Sequence, residues 1–286
     1  MSKTTLKFGF MEKELNPLTS RPSFLKFQKP TTFHGRKIEL ADFPSVTDRQ
    51  ERIPGYDQRK LNNAKIFQSG AGGLGSEVGE GLVRKGVGKL SIADPDWVEI
   101  TNLNRQHFFL EDLGKNKAIR LAKNLKDHCT YATELKAYPY TLEKLIETGK
   151  VPEFDIALFL VDSYSTRFRG SKYLLEQKKP GVFVGVSEDT DTGYVFIQEP
   201  GGPCFSCVFP RTDSSDRIPC PNVPAVKDIL KVVAGLALFS IDSLLMGRDR
   251  NWNLRMILMS GFVDDIKVFH KKRPGCELCH GTGQIQ

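Results

Sequence analysis

The chain has 286 residues, 40% of them hydrophobic, with 41 Lys and Arg against 34 Asp and Glu and a formal net charge of +7. That composition supports a real core in one large or two small domains. The charges are interspersed and no Lys/Arg block carries interleaved aromatics, which argues against a nucleic-acid surface and for an anionic small molecule or an acidic protein partner.

Residues 1–48 scatter Pro17, Pro22, Pro30 and Pro44 among Ser, Thr and Phe, and read as an irregular N-terminal arm that Phe24, Phe27, Phe33 and Phe43 can anchor. Lys3 and Lys7 break any signal-peptide pattern. A short helix over 57–64 then leads into an apolar strand, Lys65–Ser69. The spacing predicts a helix over Gly73–Lys85, with Leu74, Val78, Leu82 and Val83 on one face. Strands follow at Lys89–Ala93, Glu134–Tyr138, 155–161, Gly181–Val186 and 193–198, with helices over 115–127, 142–148 and 167–177 between them. Alternation of this kind predicts an α/β fold, a Rossmann-like doubly wound sheet. Past Glu199 a polar loop over 211–221 precedes a long apolar helix over 223–246, a core element or a subunit interface. Its apolar run, 232–246, is short for a membrane span and carries Asp242, so a cytoplasmic protein with no membrane partner is expected. Strands at 254–259 and 266–269 then form a C-terminal antiparallel extension.

Gly70-x-Gly72-Gly73-x-Gly75 falls between the first strand and its helix, where glycines let the backbone approach phosphate and the helix N-terminus supplies N–H donors. Asp94 ends the next strand, where an acid accepts from ribose hydroxyls. This much serves an NAD-linked oxidoreductase as well as an ATP enzyme. Arg105 and Lys117 favour ATP, because fixed cations stabilise the charge that builds up as pyrophosphate leaves. Asp162, at the carboxyl end of a later strand, sits where open α/β sheets place catalytic groups and is suited to magnesium.

Six cysteines are present, and four form two C-x-x-C pairs, Cys204/Cys207 and Cys276/Cys279, in Gly/Pro-rich turns. The identical spacing suits a closed, structural zinc knuckle with four thiolates. Cys220, between Pro219 and Pro221 ahead of the long helix, is either a nucleophile activated at a helix N-terminus or a loop thiol with no role. Cys129 is expected to pack, and His107, His128 and His270 show no ligand spacing.

The runs Ser69-Gly-Ala-Gly-Gly-Leu-Gly-Ser76, Lys85-Gly-Val-Gly-Lys-Leu90, Asp94-Pro-Asp96 and Asn102-Leu-Asn-Arg-Gln106 resemble the ThiF/MoeB family of ubiquitin-activating-type adenylyltransferases. The resemblance covers most of the chain and implies an adenylation domain over 49–286 that contains the zinc site. It implies that Asp94 binds the ribose of ATP, with Asp96 in the same motif, and that Asn102 and Arg105 contact the phosphates with support from Gln106. Lys117 would neutralise the α-phosphate and Asp162 would coordinate magnesium. An arginine near the start of the family domain reaches the neighbouring subunit's ATP. Arg49 matches that position, although Thr47-Asp48 replaces the usual tyrosine, and Arg52 or Arg59 are alternatives. A homodimer is implied, acting on a ubiquitin-like or sulfur-carrier protein that ends in Gly-Gly. The adenylate would pass to Cys220 as a thioester and on to a conjugating enzyme, or receive sulfur for cofactor or tRNA thiolation.

Overall fold

A computed structural model describes residues 31–33, 36–38, 46–129, 131–187, 191–210, 226–259 and 264–279, with 31–33, 36–38 and 264 described by backbone alone. The chain divides into two units, Met1–Tyr56 and Asp57–Gln286. The first holds an antiparallel pair, β1 (Thr31–Phe33) and β2 (Arg36–Ile38), and one helical turn, α1 (Asp48–Glu51). An irregular arm was expected there. Three-residue strands rich in Thr, Phe and Ile have β-preference but are too short to register as a period.

The second unit runs α2 (Gln58–Asn63), β3 (Lys65–Ser69), α3 (Gly73–Lys85), β4 (Lys89–Ala93), α4 (Lys117–Leu125), β5 (Glu134–Tyr138), α5 (Leu142–Glu147), β6 (Ile156–Phe159), α6 (Tyr164–Gln177), β7 (Gly181–Val186), β8 (Thr192–Gln198), α7 (Phe205–Val208), α8 (Lys227–Met246), β9 (Leu254–Leu258) and β10 (Asp264–Val268). One eight-stranded sheet is ordered β10-β9-β8-β7-β6-β3-β4-β5. β7, β6, β3, β4 and β5 are mutually parallel; β9 and β10 form the expected antiparallel extension, and β8, expected to complete the doubly wound part, is antiparallel as well. Strand β6 is shorter than the expected 155–161 run at both ends; Asp155 joins it to β3, its N–H donating to the Lys65 carbonyl at 2.7 Å and its carboxylate accepting from the Lys65 N–H at 2.8 Å.

Alternation along the parallel strands sends side chains to two cores. Ile66, Leu90, Ile92, Leu158, Val182 and Val184 join one cluster, with Val78 and Leu82 of α3, Leu121 of α4 and Val233 of α8. Phe67, Ala157, Phe159, Phe183 and Phe196 join the other, with Leu145 of α5, Leu174 of α6 and Phe205 of α7. A sheet buried on both faces reads as nearly continuous apolar strands, as these do. At 20 residues and mean hydropathy 2.0, α8 is long and apolar enough to span a membrane. Here it is a core helix: Ile229, Leu230, Val233, Ala234, Ala237 and Ile241 are buried, while Val232 and Phe239 stay exposed.

The chain leaves β3 for β4 and β5 on one side and returns to β6 and β7 on the other. Connections therefore diverge between β3 and β6, and a crevice opens beyond their carboxyl ends, the place where open α/β sheets bind ligands.

Candidate active site

The glycine loop lies in that crevice. Gly70 has φ +106°, and a Cβ there would stand 2.5 Å from the Leu160 carbonyl oxygen, so only glycine lets the ends of β3 and β6 close together. A Cβ on Gly75 would stand 2.3 Å from the Gly70 carbonyl oxygen, so the first turn of α3 fits the loop only without a side chain. Gly73 meets just the flexible end of Leu230. Nothing lies within 4 Å of where a Gly72 Cβ would be, and Gly72 caps α3 without a side-chain acceptor. The open approach at Gly72 and the first N–H groups of α3 suit an anion. Gln68, fully buried on β3, donates its amide to the Gly70 carbonyl at 2.9 Å and the Gly75 carbonyl at 3.1 Å. The sequence pattern shows Gln68 only as a polar residue inside an apolar strand, which is the one available signal.

Asp94 directly follows β4, and both its oxygens are engaged: one accepts from the Ala71 N–H at 2.7 Å, the other from the Asp96 N–H at 2.8 Å. Burial pushes its carboxyl above the usual range, and those two N–H groups only partly oppose the shift. Asp94 thus braces the glycine loop against β4 and still has lone pairs for a ribose. Asn116, also missed from sequence, caps α4 through the Ile119 N–H and donates to the carbonyls of Asp94 at 2.9 Å and Asp96 at 3.1 Å. That brings Lys117 beside Asp96, with Nζ 3.1 Å from its carboxylate. The Lys117 side chain is 13% exposed and that of Asp96 is 64% exposed, so an anion can reach the ammonium by displacing a solvated partner.

Asn102 is buried, its side-chain oxygen accepting from the Glu99 N–H at 3.0 Å. The Arg105 guanidinium donates to the Thr101 carbonyl at 2.7 Å and to Asn104 Oδ1 at 2.9 Å. Gln106 is buried, and its Oε1 has no hydrogen-bond partner among the described residues. The segment is anchored by Asp112, which is fully buried. Asp112 accepts from Arg120, from Asn124 Nδ2 at 2.7 Å and from the Phe109 N–H at 2.9 Å. Asn124 Nδ2 also reaches the His107 carbonyl at 3.0 Å, and the His107 N–H donates to Ser76 Oγ at 3.1 Å.

Asp162 is exposed, next to Val161, whose side chain would lie 3.3 Å from a Cβ on Gly70. The glycines, Asp94, Asp96, Lys117 and Asp162 therefore share the crevice edge, and the Asn102–Gln106 segment is tied to α3. Arg49 belongs to the first unit, where its exposed side chain lies 3.9 Å from Asp48. Cys220 lies outside the described residues.

The two cysteine pairs do meet. Sγ separations are 3.6 Å for Cys204–Cys207, 3.5 Å for Cys204–Cys276 and 3.4 Å for Cys207–Cys279. A disulfide needs about 2.0 Å, whereas a tetrahedron with roughly 2.3 Å metal–sulfur bonds has edges of about 3.8 Å. Burial raises the Cys204 and Cys279 thiols, the latter to about 11. At Cys276 burial acts the same way, but the N–H groups of Cys279 and Leu278 prevail and bring it to about 6. Four crowded sulfurs cannot all ionise alone, and a divalent cation is what lets them.

Two histidines outside these motifs have partners that sequence spacing hides. His107 lies 3.2 Å from Glu77 and 3.4 Å from Glu80, and His128 lies 3.2 Å from Glu80. Arg84 and Lys227 already occupy these carboxylates at 2.7 and 3.6 Å, so the group is a structural ion network.

The ThiF family model matches residues 36–278. The chain is similar to a sulfur carrier protein adenylyltransferase of Thermus thermophilus, 27% identical over 78% of this chain and 84% of the relative. It is also similar to the adenylyltransferase and sulfurtransferase MOCS3 of Mus musculus, 29% identical over 78% of this chain, and spans only 49% of that protein's length. Among solved structures it shares its fold with E. coli MccB crystallised with ATP: TM-score 0.66, 24% identity, covering 78% of this chain and 68% of that one.

Proposed function

The chain belongs to the ThiF family, and we propose that it is an ATP-dependent adenylyltransferase acting on the C-terminal glycine carboxylate of a sulfur-carrier or other ubiquitin-like protein. The observation that carries this reading is the gathering of a braced glycine loop, Asp94 and the screened cation Lys117 on one crevice edge. The loop and Asp94 serve any nucleotide with a phosphate chain and a ribose; Lys117 beside them favours ATP, whose phosphates gain charge as pyrophosphate leaves. The relatives are named as adenylyltransferases.

In the proposed reaction a carboxylate oxygen of the acceptor attacks the α-phosphorus of ATP. A C–O–P linkage forms, the bond from that phosphorus to the bridging oxygen breaks, and pyrophosphate leaves with the electron pair. The acceptor enters already ionised, so no general base is required. Alignment and charge neutralisation are. Loop N–H groups and the α3 N-terminus hold the phosphates, Asp94 takes the ribose, and Asn102 and Arg105 contact the phosphate chain with support from Gln106. Lys117 exchanges Asp96 for the α-phosphate. The residues fit magnesium, since a lone accessible carboxylate beside a phosphate site is how that ion is commonly held. Asp162 would hold it, and the ion supplies further charge screening. The four-cysteine cluster fits structural zinc.

The same reading takes the chain as a cytoplasmic homodimer, with Arg49 serving the neighbouring subunit's nucleotide. The names of the relatives favour sulfur transfer after adenylation. The Pro219-Cys220-Pro221 run ahead of α8 favours a thioester and a conjugating enzyme. ATP–pyrophosphate exchange that depends on a partner ending in Gly-Gly tests the adenylation step, and tight ATP binding with no exchange for any such partner would sink it. A thiol-labile protein adduct, lost in Cys220→Ala, separates the two later steps.

A further inference from the structure

Five of the ten arginines described in the second unit have an acid beside them: Arg59 has Asp57, Arg84 has Glu80, Arg120 has Asp112, Arg250 has Glu199 and Arg255 has Asp265. Arg167 does not. It lies in the first turn of α6, half-buried, and its Nε donates to the Val161 carbonyl at 2.9 Å while Nη2 reaches the Val184 carbonyl at 3.4 Å. Its guanidinium lies 5.7 Å from the centre of the Tyr194 ring. That ring occupies space that Gly185 leaves free, since a Cβ on Gly185 would stand 2.4 Å from Tyr194 Cε1. The ring also meets Phe209, with centroids 4.8 Å apart. Carbonyls and an aromatic shelf thus hold the guanidinium just past the end of β6 and beside Val184 of β7, and among the described residues no carboxylate lies within 4.0 Å to neutralise it. Arg105 shows the same arrangement, tethered to an amide and a carbonyl without an acid.

A half-buried guanidinium tied to neutral groups has charge and N–H donors to spare for an anion. The two sides of the crevice are occupied differently. Lys117 stands on the β4 side with the ribose acid Asp94, while Arg167 stands on the β6/β7 side next to the backbone that leads into Asp162. The nucleotide is accounted for on the first side.

Resting on the adenylation reading, we propose that Arg167 binds the C-terminal carboxylate of the acceptor, its free Nη1 donating to one oxygen while the other faces the α-phosphorus. The interaction is strongest with the ionised carboxylate and weakens as its charge is lost to the ester. Its loss therefore appears mainly in the acceptor's KM.

Two experiments test this. Phenylglyoxal labelling of the wild-type protein, read at Arg167 by mass spectrometry, should slow several-fold in the presence of N-acetylglycylglycine and not with its C-terminal amide. Equal protection by both, or by neither, overturns the proposal without any assumption about turnover. With a Gly-Gly acceptor that supports exchange, Arg167→Ala should raise the acceptor's KM roughly ten- to a hundred-fold, leave the KM for ATP within about twofold, and lower the melting point by only a few degrees through its lost carbonyl and ring contacts. Arg167→Lys should fall between. An unchanged acceptor KM, or an equal rise in the ATP KM, refutes it. Failure of the wild-type protein to exchange with any acceptor would instead count against the adenylation reading, and the labelling result would still decide the carboxylate site.

Discussion

Replacing Asp112 with Ala removes the hub that holds the Asn102–Gln106 segment against the body. Asp112 is fully buried and Arg120 is 8% exposed, so the change leaves a buried guanidinium short of one partner and frees Asn124 Nδ2 and the Phe109 N–H. Breaking one side of a buried pair costs about 3–5 kcal/mol. Glu111 remains 3.0 Å from Arg120, which puts the expectation at the lower end. At roughly 2–4 °C per kcal/mol for a chain of about this size, a loss of about 3 kcal/mol lowers the melting midpoint by about 6–12 °C in a circular-dichroism scan at pH 7. Burial works against ionisation of Asp112, but hydrogen bonds from Asn124, the Phe109 N–H and Arg120 overcome it and hold the carboxyl below the usual range. A depressed folded value means the contribution is complete above the ordinary Asp value, about 3.9, and fades as pH falls through the lower folded one. The gap between wild type and Asp112→Ala should therefore be constant from pH 7 to about 5 and narrow below about 4. A variant within about 1 °C of wild type at pH 7, or a gap that widens on acidification, would refute the argument.

Gly75→Ala should weaken ATP binding at least roughly 100-fold by calorimetry, because the new methyl meets the backbone oxygen of Gly70 and not a movable side chain. Unchanged affinity would mean that the loop is not the phosphate site. Lys117→Ala should lower the exchange rate by about 10²–10³ at saturating ATP, the usual cost of one preorganised charge-stabilising group. A change confined to KM would place Lys117 in ground-state binding. Elemental analysis of purified protein should find one zinc per chain. Cys276→Ser should lose that zinc and melt lower, while metal-free wild type with an unchanged melting point would remove the structural role.

The parallel sheet was legible because β3, β4 and β7 are short, mainly apolar runs, β5 alternates polar and apolar residues as an edge strand does, and α3 has a clean apolar face. The glycine loop, Asp94 and the cysteine pairs were legible for a related reason: their chemistry depends on residue types at fixed short spacing. Gln68, Asn116 and Asp112 were not: Gln68 and Asp112 bond to groups 2 to 12 residues away across loops whose shape no residue pattern shows, and Asn116 reaches back 20 to 22 residues to just past the end of β4. The Glu77–Glu80–His107–His128 network was hidden likewise, because two helix positions and two loops supply it. The β1–β2 pair was missed because three residues per strand cannot show a period. Helix α8 was read as long and apolar without a decision between core and interface. Its buried row against β7, β8 and α3 answers the first part, and Val232 and Phe239 remain on its outer side.

The Gln68 amide gives the nucleotide loop a property that glycine-rich segments usually lack. Five glycines between Gly70 and Gly79 ought to make a floppy chain with much backbone entropy to lose on ligation. Tying the Gly70 and Gly75 carbonyls to one buried side chain, and the Ala71 N–H to Asp94, removes that freedom when the protein folds. The ordering cost then falls on the stability of the fold and not on each encounter with nucleotide. ATP should meet a loop already in its bound shape, with association close to the speed of rigid docking and little heat-capacity change from loop ordering.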